Sequence, residues 1–343
     1  MIGLLLAGCF TFAPVTSART ANSNQSPRDN ATLEIKSLDF HSDRQGKFFP
    51  LFSVVRFANS ECLSSTDQLN GTCFTRRECT NFGGNPSGPC ANGLGTCCVF
   101  QKSCGSTTNI NNTYFVNPRY PITYRGGERC SITVQRCNSN ICQLRLDFLE
   151  ATWAQPNATG WCDFDVFLVS GGSSTVPRIC GENTNQHVYV DFNGATPITI
   201  SVDTNADYAF DRRWNIRIQQ IACDSVCKAP NGCLQYYKSV SGTVMSFNFG
   251  TTENARAPQI GTRQMVNHRY GVCVRMELGY CSIEWSQADR FSFSVSGDTG
   301  SFDPDIIADL KPFVMYVVTN GDEMLEAQNK GFRLMFRQIP CAV

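Results

Sequence analysis

His41, His187 and His268 are the three imidazoles of the chain, the residues best suited by type to act as a general base near neutral pH or to bind a catalytic zinc. A serine protease also needs a buried aspartate and a serine inside a glycine-rich oxyanion loop. The nearest stretch, Gly297-Asp298-Thr299-Gly300-Ser301, has those residue types in the wrong order. No His-Glu-x-x-His occurs, which excludes the common helical zinc-protease motif. Asp163 and Asp165 are a carboxylate pair, but glycosidase work needs two carboxylates about 5 to 9.5 Å apart across a cleft, and a spacing of two residues does not supply a cleft. His187 and His268 read as ordinary surface or loop histidines, and no catalytic residue is assigned.

Cysteine is the residue this chain has in abundance. Nineteen cysteines in 343 residues form useful cross-links only where thiols can be oxidised, outside the reducing cytosol. Residues 1–18 hold the apolar run from Ile2 to Leu6 and small residues at Thr16-Ser17-Ala18, the layout of a secretory signal without its basic start. Cleavage near Ala18 would remove Cys9 and leave an even number of cysteines. Lysine plus arginine and aspartate plus glutamate stand at 29 each, so no net field points to nucleic acid or to an anionic membrane. No stretch reaches the ~20 apolar residues of a membrane-crossing helix. Asn24, Asn30, Asn70, Asn111 and Asn157 begin Asn-x-Ser/Thr sequons, which are glycan acceptors in the secretory pathway. These features predict a secreted, extracellular glycoprotein with no membrane span.

The elements follow in order. Residues 19–47 are polar and aperiodic, the composition of a disordered leader. An apolar patch from Phe48 to Phe57, whose aromatics would dock on a neighbouring domain, opens the segment 48–100. There Cys62, Cys73, Cys79, Cys90, Cys97 and Cys98 fall close together among glycines. So short a segment cannot bury enough apolar surface alone, and disulfides supply the missing stability. Six cysteines permit fifteen connectivities, and spacing alone does not choose among them. Beyond Cys104, period-2 runs recur at Ile132-Thr133-Val134, Leu144 to Phe148, Val166 to Val169, Ile198 to Val202 and Ile216-Arg217-Ile218, separated by turn clusters such as Gly126-Gly127 and Gly171-Gly172. Short strands at this spacing predict an antiparallel β-sandwich. Cys137 and Cys142 are expected to close a local loop, and so are Cys273 and Cys281. Cys223, Cys227, Cys233 and Cys341 would make two further bonds of open connectivity.

The order Cys104-Gly105, Tyr120-Pro121-Ile122-Thr123-Tyr124, Cys130, Trp161-Cys162-Asp163-Phe164-Asp165, Cys180-Gly181 and Trp214-Asn215-Ile216 resembles a CUB domain over residues 104–223. The resemblance implies an all-β sandwich, the disulfides Cys104–Cys130 and Cys162–Cys180, and a recognition module. It also implies an end-loop calcium site, with Tyr124, Asp165 and Asp203 as ligands and Asn205 as an additional oxygen. Hard oxygen ligands of this kind suit calcium. The site's glutamate has no match: its place falls near Ala154, and Glu150 stands four residues early. Residues 224–343 resemble a second, degenerate CUB domain, because the stretch from Phe293 to Lys311 is too short for a counterpart of the Cys162 to Cys180 hairpin. The cysteine knot is similar to the clip domains of arthropod secreted proteases, through its five-residue gap from Cys73 to Cys79 and its closing Cys97-Cys98 pair. That likeness implies Cys62–Cys97, Cys73–Cys90 and Cys79–Cys98. The whole resembles arthropod secreted CUB-domain proteins with a clip-like knot.

Trp214 reads as core, since an indole buries a large area in a sandwich. Trp153 and Trp161 flank the sequon at Asn157 and are the candidates for surface contact. The expected function is a non-catalytic recognition or adhesion protein that binds an extracellular protein or a glycan through sandwich loops, with no cofactor expected apart from the calcium that the resemblance implies. The alternatives are a structural matrix component and a regulatory partner or homologue of clip-domain proteases.

Overall fold

The computed structural model describes residues 57–251, 262–295, 305–308, 311–323 and 329–342. The expectations for the signal segment, the leader, residues 48–56, the sequons at Asn24 and Asn30, and the Gly297 to Ser301 stretch lie outside the described residues. The described chain falls into two compact units, one ending at Phe100 and the other beginning at Gln101.

The first unit is the cysteine knot. Strands β1 (Glu61–Leu63), β2 (Asn70–Phe74), β3 (Asn85–Cys90) and β4 (Gly95–Lys102) pair antiparallel around a single turn-and-a-half of helix, α1 (Arg76–Asn81). Thr75 starts that helix. Its hydroxyl accepts from the Glu78 N–H while Glu78 reaches back to the Thr75 N–H, so two otherwise orphaned donors are satisfied. Cys62 is bonded to Cys97, Cys73 to Cys90 and Cys79 to Cys98.

The second unit holds two sandwiches. The first is built from β5 (Ser106–Thr108), β6 (Thr113–Val116), β7 (Arg129–Val134), β8 (Ile141–Thr152), β9 (Asp165–Ser170), β10 (His187–Asp191), β11 (Ile198–Thr204) and β12 (Arg213–Ala222). One sheet runs β6-β12-β8-β10 and the other β5-β7-β11-β9, all antiparallel except the parallel β5–β7 pair. The alternation read from the sequence places Ile132, Ile198, Ile200, Val202, Ile216 and Ile218 between the sheets, fully buried.

The second sandwich is built from β13 (Cys233–Tyr237), β14 (Ser241–Met245), β15 (Arg269–Val274), β16 (Tyr280–Gln287), β17 (Phe293–Ser294), β18 (Asp305–Ala308), β19 (Phe313–Val318) and β20 (Gly331–Pro340). Its sheets run β13-β15-β19 and β14-β20-β16-β18, with β17 also paired to β20. This repeats the plan of the first sandwich with one strand missing. The parallel β13–β15 pair answers β5–β7, β19 answers β11, and β14-β20-β16-β18 answers β6-β12-β8-β10. Among the described residues, β9 alone has no counterpart.

Outside the knot, Cys104 is bonded to Cys130 and Cys162 to Cys180. The two expected local pairs are corrected. Cys142 is bonded to Cys223, while Cys137 is free and exposed; Cys273 is bonded to Cys233, and Cys281 to Cys341. Strand pairing is the reason. Ile141 lies opposite Ala222 and Tyr280 opposite Pro340, so each cysteine's nearest thiol belongs to the neighbouring strand rather than to the same loop. Cys227 also enters a disulfide.

The sandwiches share a seam of buried polar groups that satisfy one another. The Gln143 side chain donates to the Ala229 carbonyl and accepts from its N–H. Asn248 accepts from the Glu182 N–H and donates to Gln155. Both histidines expected at the surface are buried in this seam: His187 accepts the Tyr236 N–H at 3.1 Å, and His268 Nε2 lies 2.8 Å from the Arg178 carbonyl. Burial, with Arg145 nearby, pushes His187 down to about 3, and burial pushes His268 down to about 4. Both therefore stay neutral in the folded chain at pH values where unfolded histidines, with a pKa near 6.5, take up protons. The stability they contribute is complete above about pH 6.5 and is lost as pH falls toward 4, with a slope of up to about 1.4 kcal/mol per pH unit for each histidine. Urea unfolding between pH 7 and 4.5 should show this loss, and His268→Gln should make the profile shallower.

Candidate functional site

Three loops meet at one end of the first sandwich: residues 117–128 between β6 and β7, 153–164 between β8 and β9, and 205–212 between β11 and β12. Their floor is an ion pair. Asp165 opens β9 and Arg212 immediately precedes β12, and both side chains are fully buried. Arg212 Nε donates to Asp165 Oδ2 at 2.8 Å and Nη2 donates to Oδ1 at 2.8 Å, a bidentate fork. The remaining guanidinium protons go to main-chain carbonyls: Nη2 to Asn205 at 3.0 Å, and Nη1 to Phe210 at 3.0 Å and to Arg125. Asp165 Oδ2 also accepts the Ala154 N–H at 2.7 Å. The pair thereby ties all three loops together, Arg212 reaching two of them and Asp165 the third. Gly126 leaves room for it: a Cβ there would stand 2.6 Å from Arg212 Nη1, and its φ of +88° already favours glycine.

The expected calcium ligands do not assemble. Asp165 is spent on Arg212. Asn205 lends its main-chain carbonyl to the guanidinium while its side chain accepts the Asp207 N–H. Tyr124 exchanges main-chain hydrogen bonds with Arg212, and its ring sits edge-on to Trp214 at 5.8 Å. Asp203 turns to Arg129, 3.4 Å away, on the neighbouring strand β7. Glu150 accepts the Tyr120 hydroxyl and pairs with Arg213. Calcium takes six to eight oxygens, and here a carboxylate and three carbonyls already face a fixed positive charge. The residues present do not fit a bound calcium, and among the described residues no cluster of three or more histidine, cysteine or carboxylate side chains could hold a metal.

Above this floor stands a run of stacked aromatic rings that the sequence reading missed. Phe164 stacks on Tyr208 at 4.4 Å with ring planes 23° apart, and Tyr208 is nearly parallel to Phe210 at 6.1 Å. The Arg212 guanidinium lies 6.0 Å from the Phe210 ring centre. All three rings are half-buried, and exposed Ile122 lies in the first of the three loops. Partial burial and the Asp165 carboxylate push the Tyr208 hydroxyl above its usual range. The available signal was Tyr208-Ala209-Phe210, two aromatics spaced to share a side just ahead of an arginine that could not be left unpaired.

Of the two tryptophans expected at the surface, the structure keeps one there. Trp161 is 41% exposed, but Trp153 is fully buried and stacks on Phe167 at 5.5 Å. The Asn157 side-chain oxygen Oδ1 accepts the Thr159 and Trp161 N–H groups, so that loop is pinned beside its sequon. Asn70 and Asn111 are half-buried, at the start of β2 and ahead of β6.

Comparison with known proteins gives a family match in the second sandwich: residues 230–309 match the model of the animal CUB domain. No curated protein matches the chain. Among solved structures, the MASP-1 CUB2 domain bound to Ca2+ is 18% identical, covering 34% of this chain and 98% of that one with a TM-score of 0.29. The CUB1-EGF-CUB2 domains of rat MASP-1 are 10% identical over 68% of this chain and 99% of that one, with a TM-score of 0.28. The extracellular region of zebrafish Gpr126/Adgrg6 is 12% identical over 70% of this chain and 34% of its own length, with a TM-score of 0.30. Among the described residues no helix is long and apolar enough to cross a membrane. The family match thus falls in the half whose sequence signal was the weaker, and the described residues of both sandwiches have the β-rich, disulfide-linked build of CUB-like folds.

Proposed function

We propose that this chain is a secreted, non-catalytic recognition protein that binds an extracellular protein or a glycan through the loop end of its first sandwich, without calcium. The carrying observation is the half-buried Phe164, Tyr208 and Phe210 stack mounted on the buried Arg212–Asp165 pair. Rigid aromatics with little conformational freedom left to lose make efficient binding anchors. The floor that fixes them takes its positive charge from within the chain. Among the described residues, the burial of His187 and His268 in the seam and the pairing of Asp165 with Arg212 support the non-catalytic reading. The nineteen cysteines support an extracellular setting.

The test is a pull-down from extracellular fluid with the secreted chain as bait, with calcium and with chelator, followed by affinity measurement on the partner recovered. Capture should be equal in both conditions. Replacing Phe164 and Tyr208 together by alanine should weaken binding roughly 30-fold or more, the scale of losing a hot spot of about 2 kcal/mol. A partner held only in calcium, or one that binds the double variant as well as wild type, would overturn the reading.

A further inference from the structure

The two sandwiches follow one plan, and the second lacks one strand of it. In the first, β9 lies along β11 in antiparallel register, with Val202 opposite Phe167 and Ile200 opposite Val169. Under that cover the inward residues of β11, Ile198, Ile200 and Val202, are fully buried. In the second, β19 occupies the position of β11 and pairs with β15 on one side. Among the described residues nothing pairs with its other side. Its inward residues Met315 and Val317 pack against the core yet stay half-exposed, because they look into a cavity of about 420 Å³. Phe247, Phe293, Val295 and Phe332 line the same cavity.

An uncharged strand of sequence Phe313-Val314-Met315-Tyr316-Val317-Val318 with an open edge is the kind of element that proteins ordinarily blunt with charge, proline or a bulge. Here, among the described residues, the edge stays open beside a largely apolar hollow. A strand added at an edge gains main-chain hydrogen bonds along its length and places alternate side chains into whatever lies beneath. We propose that β19 and the cavity under it form an acceptor site for an extended segment of a partner protein, which would add antiparallel to β19 as β9 does to β11 and insert apolar side chains at alternate positions. The occupant is a free strand rather than a second copy of this sandwich. In a symmetric β19-to-β19 pairing each strand's inward residues already line their own cavity, and both hollows would stay unfilled. The first sandwich shows the chemistry required, for there Phe167 enters between the sheets and stacks on Trp153. This site is separate from the loop end and stands whether or not the aromatic stack binds a partner.

The chain supplies its own probe. A synthetic peptide of residues 164–170, Phe-Asp-Val-Phe-Leu-Val-Ser, carries the sequence of the strand that has no counterpart. Added to the full secreted chain, it should bind saturably by fluorescence anisotropy and slow amide hydrogen exchange at least tenfold within residues 313–318. A scrambled peptide should not do this, nor should one with Leu168→Pro, which removes an N–H on the side that faces the acceptor strand, the Phe167 N–H being turned to Ile179. In the protein, Met315→Trp should fill the hollow and weaken peptide binding at least tenfold. If that variant is not secreted, the exchange measurement on wild type decides alone. No slowing in β19 at millimolar peptide, or equal binding of the scrambled sequence, would overturn the proposal.

Discussion

Asp165→Ala should destabilise the second unit by about 3–5 kcal/mol, the usual cost of leaving one partner of a buried ion pair uncompensated. The effect is large because Arg212 has no second carboxylate to turn to: its other donors face carbonyls, and its side chain is fully buried. Urea unfolding reads this directly. The companion variant Asp165→Leu with Arg212→Met should recover most of the loss, because well-packed apolar replacements for a buried pair are often neutral. A cost under about 1 kcal/mol for Asp165→Ala is what an exposed ion pair gives, and it would mean that water reaches this pair in solution.

The second large effect separates two tryptophans that look alike in sequence. Trp153→Ala should cost about 3–5 kcal/mol, as large-to-small changes in a packed core do, since Trp153 is wedged against Phe148 and Phe167. Trp161→Ala should cost about 0.5 kcal/mol or less, in keeping with a surface position. Thermal and urea unfolding of the two variants side by side checks both. Equal costs would show that the loop from 153 to 164 packs as one piece.

These two residues also mark how far the sequence could be read. Alternation placed the strands and their inward faces, because a period of two maps directly onto which side of a sheet is buried. Trp153 defeated that reading. It lies just past the end of β8, where alternation stops, and only the return of the chain through β9 covers it. The local disulfides Cys137–Cys142 and Cys273–Cys281 failed for a related reason. Nearness along the chain is a poor guide where antiparallel pairing brings Cys142 to Cys223 and Cys281 to Cys341 from 81 and 60 residues away. At the loop end, Tyr124, Asp165 and Asn205 each bond Arg212. The identity of Arg212 was visible in the sequence, but its pairing with Asp165 and its bonds to carbonyls of two loops were not. The histidines were misjudged as surface residues because their partners are main-chain groups, which leave no mark in a sequence.

The Cys142–Cys223 bond has a mechanical consequence. It joins the start of β8 to the end of β12, so a pull along the chain passes from one to the other through sulfur and leaves the residues between them unloaded. That shortcut withholds roughly 280 Å of extended chain, at about 3.3–3.6 Å for each of the 81 residue steps it spans. The aromatic stack and its arginine floor lie wholly within the protected stretch, apart from the loop that carries Arg125. The Cys281–Cys341 bond shields β19 in the same way, so tension on a tethered copy would bypass both the loop end of the first sandwich and strand β19 of the second.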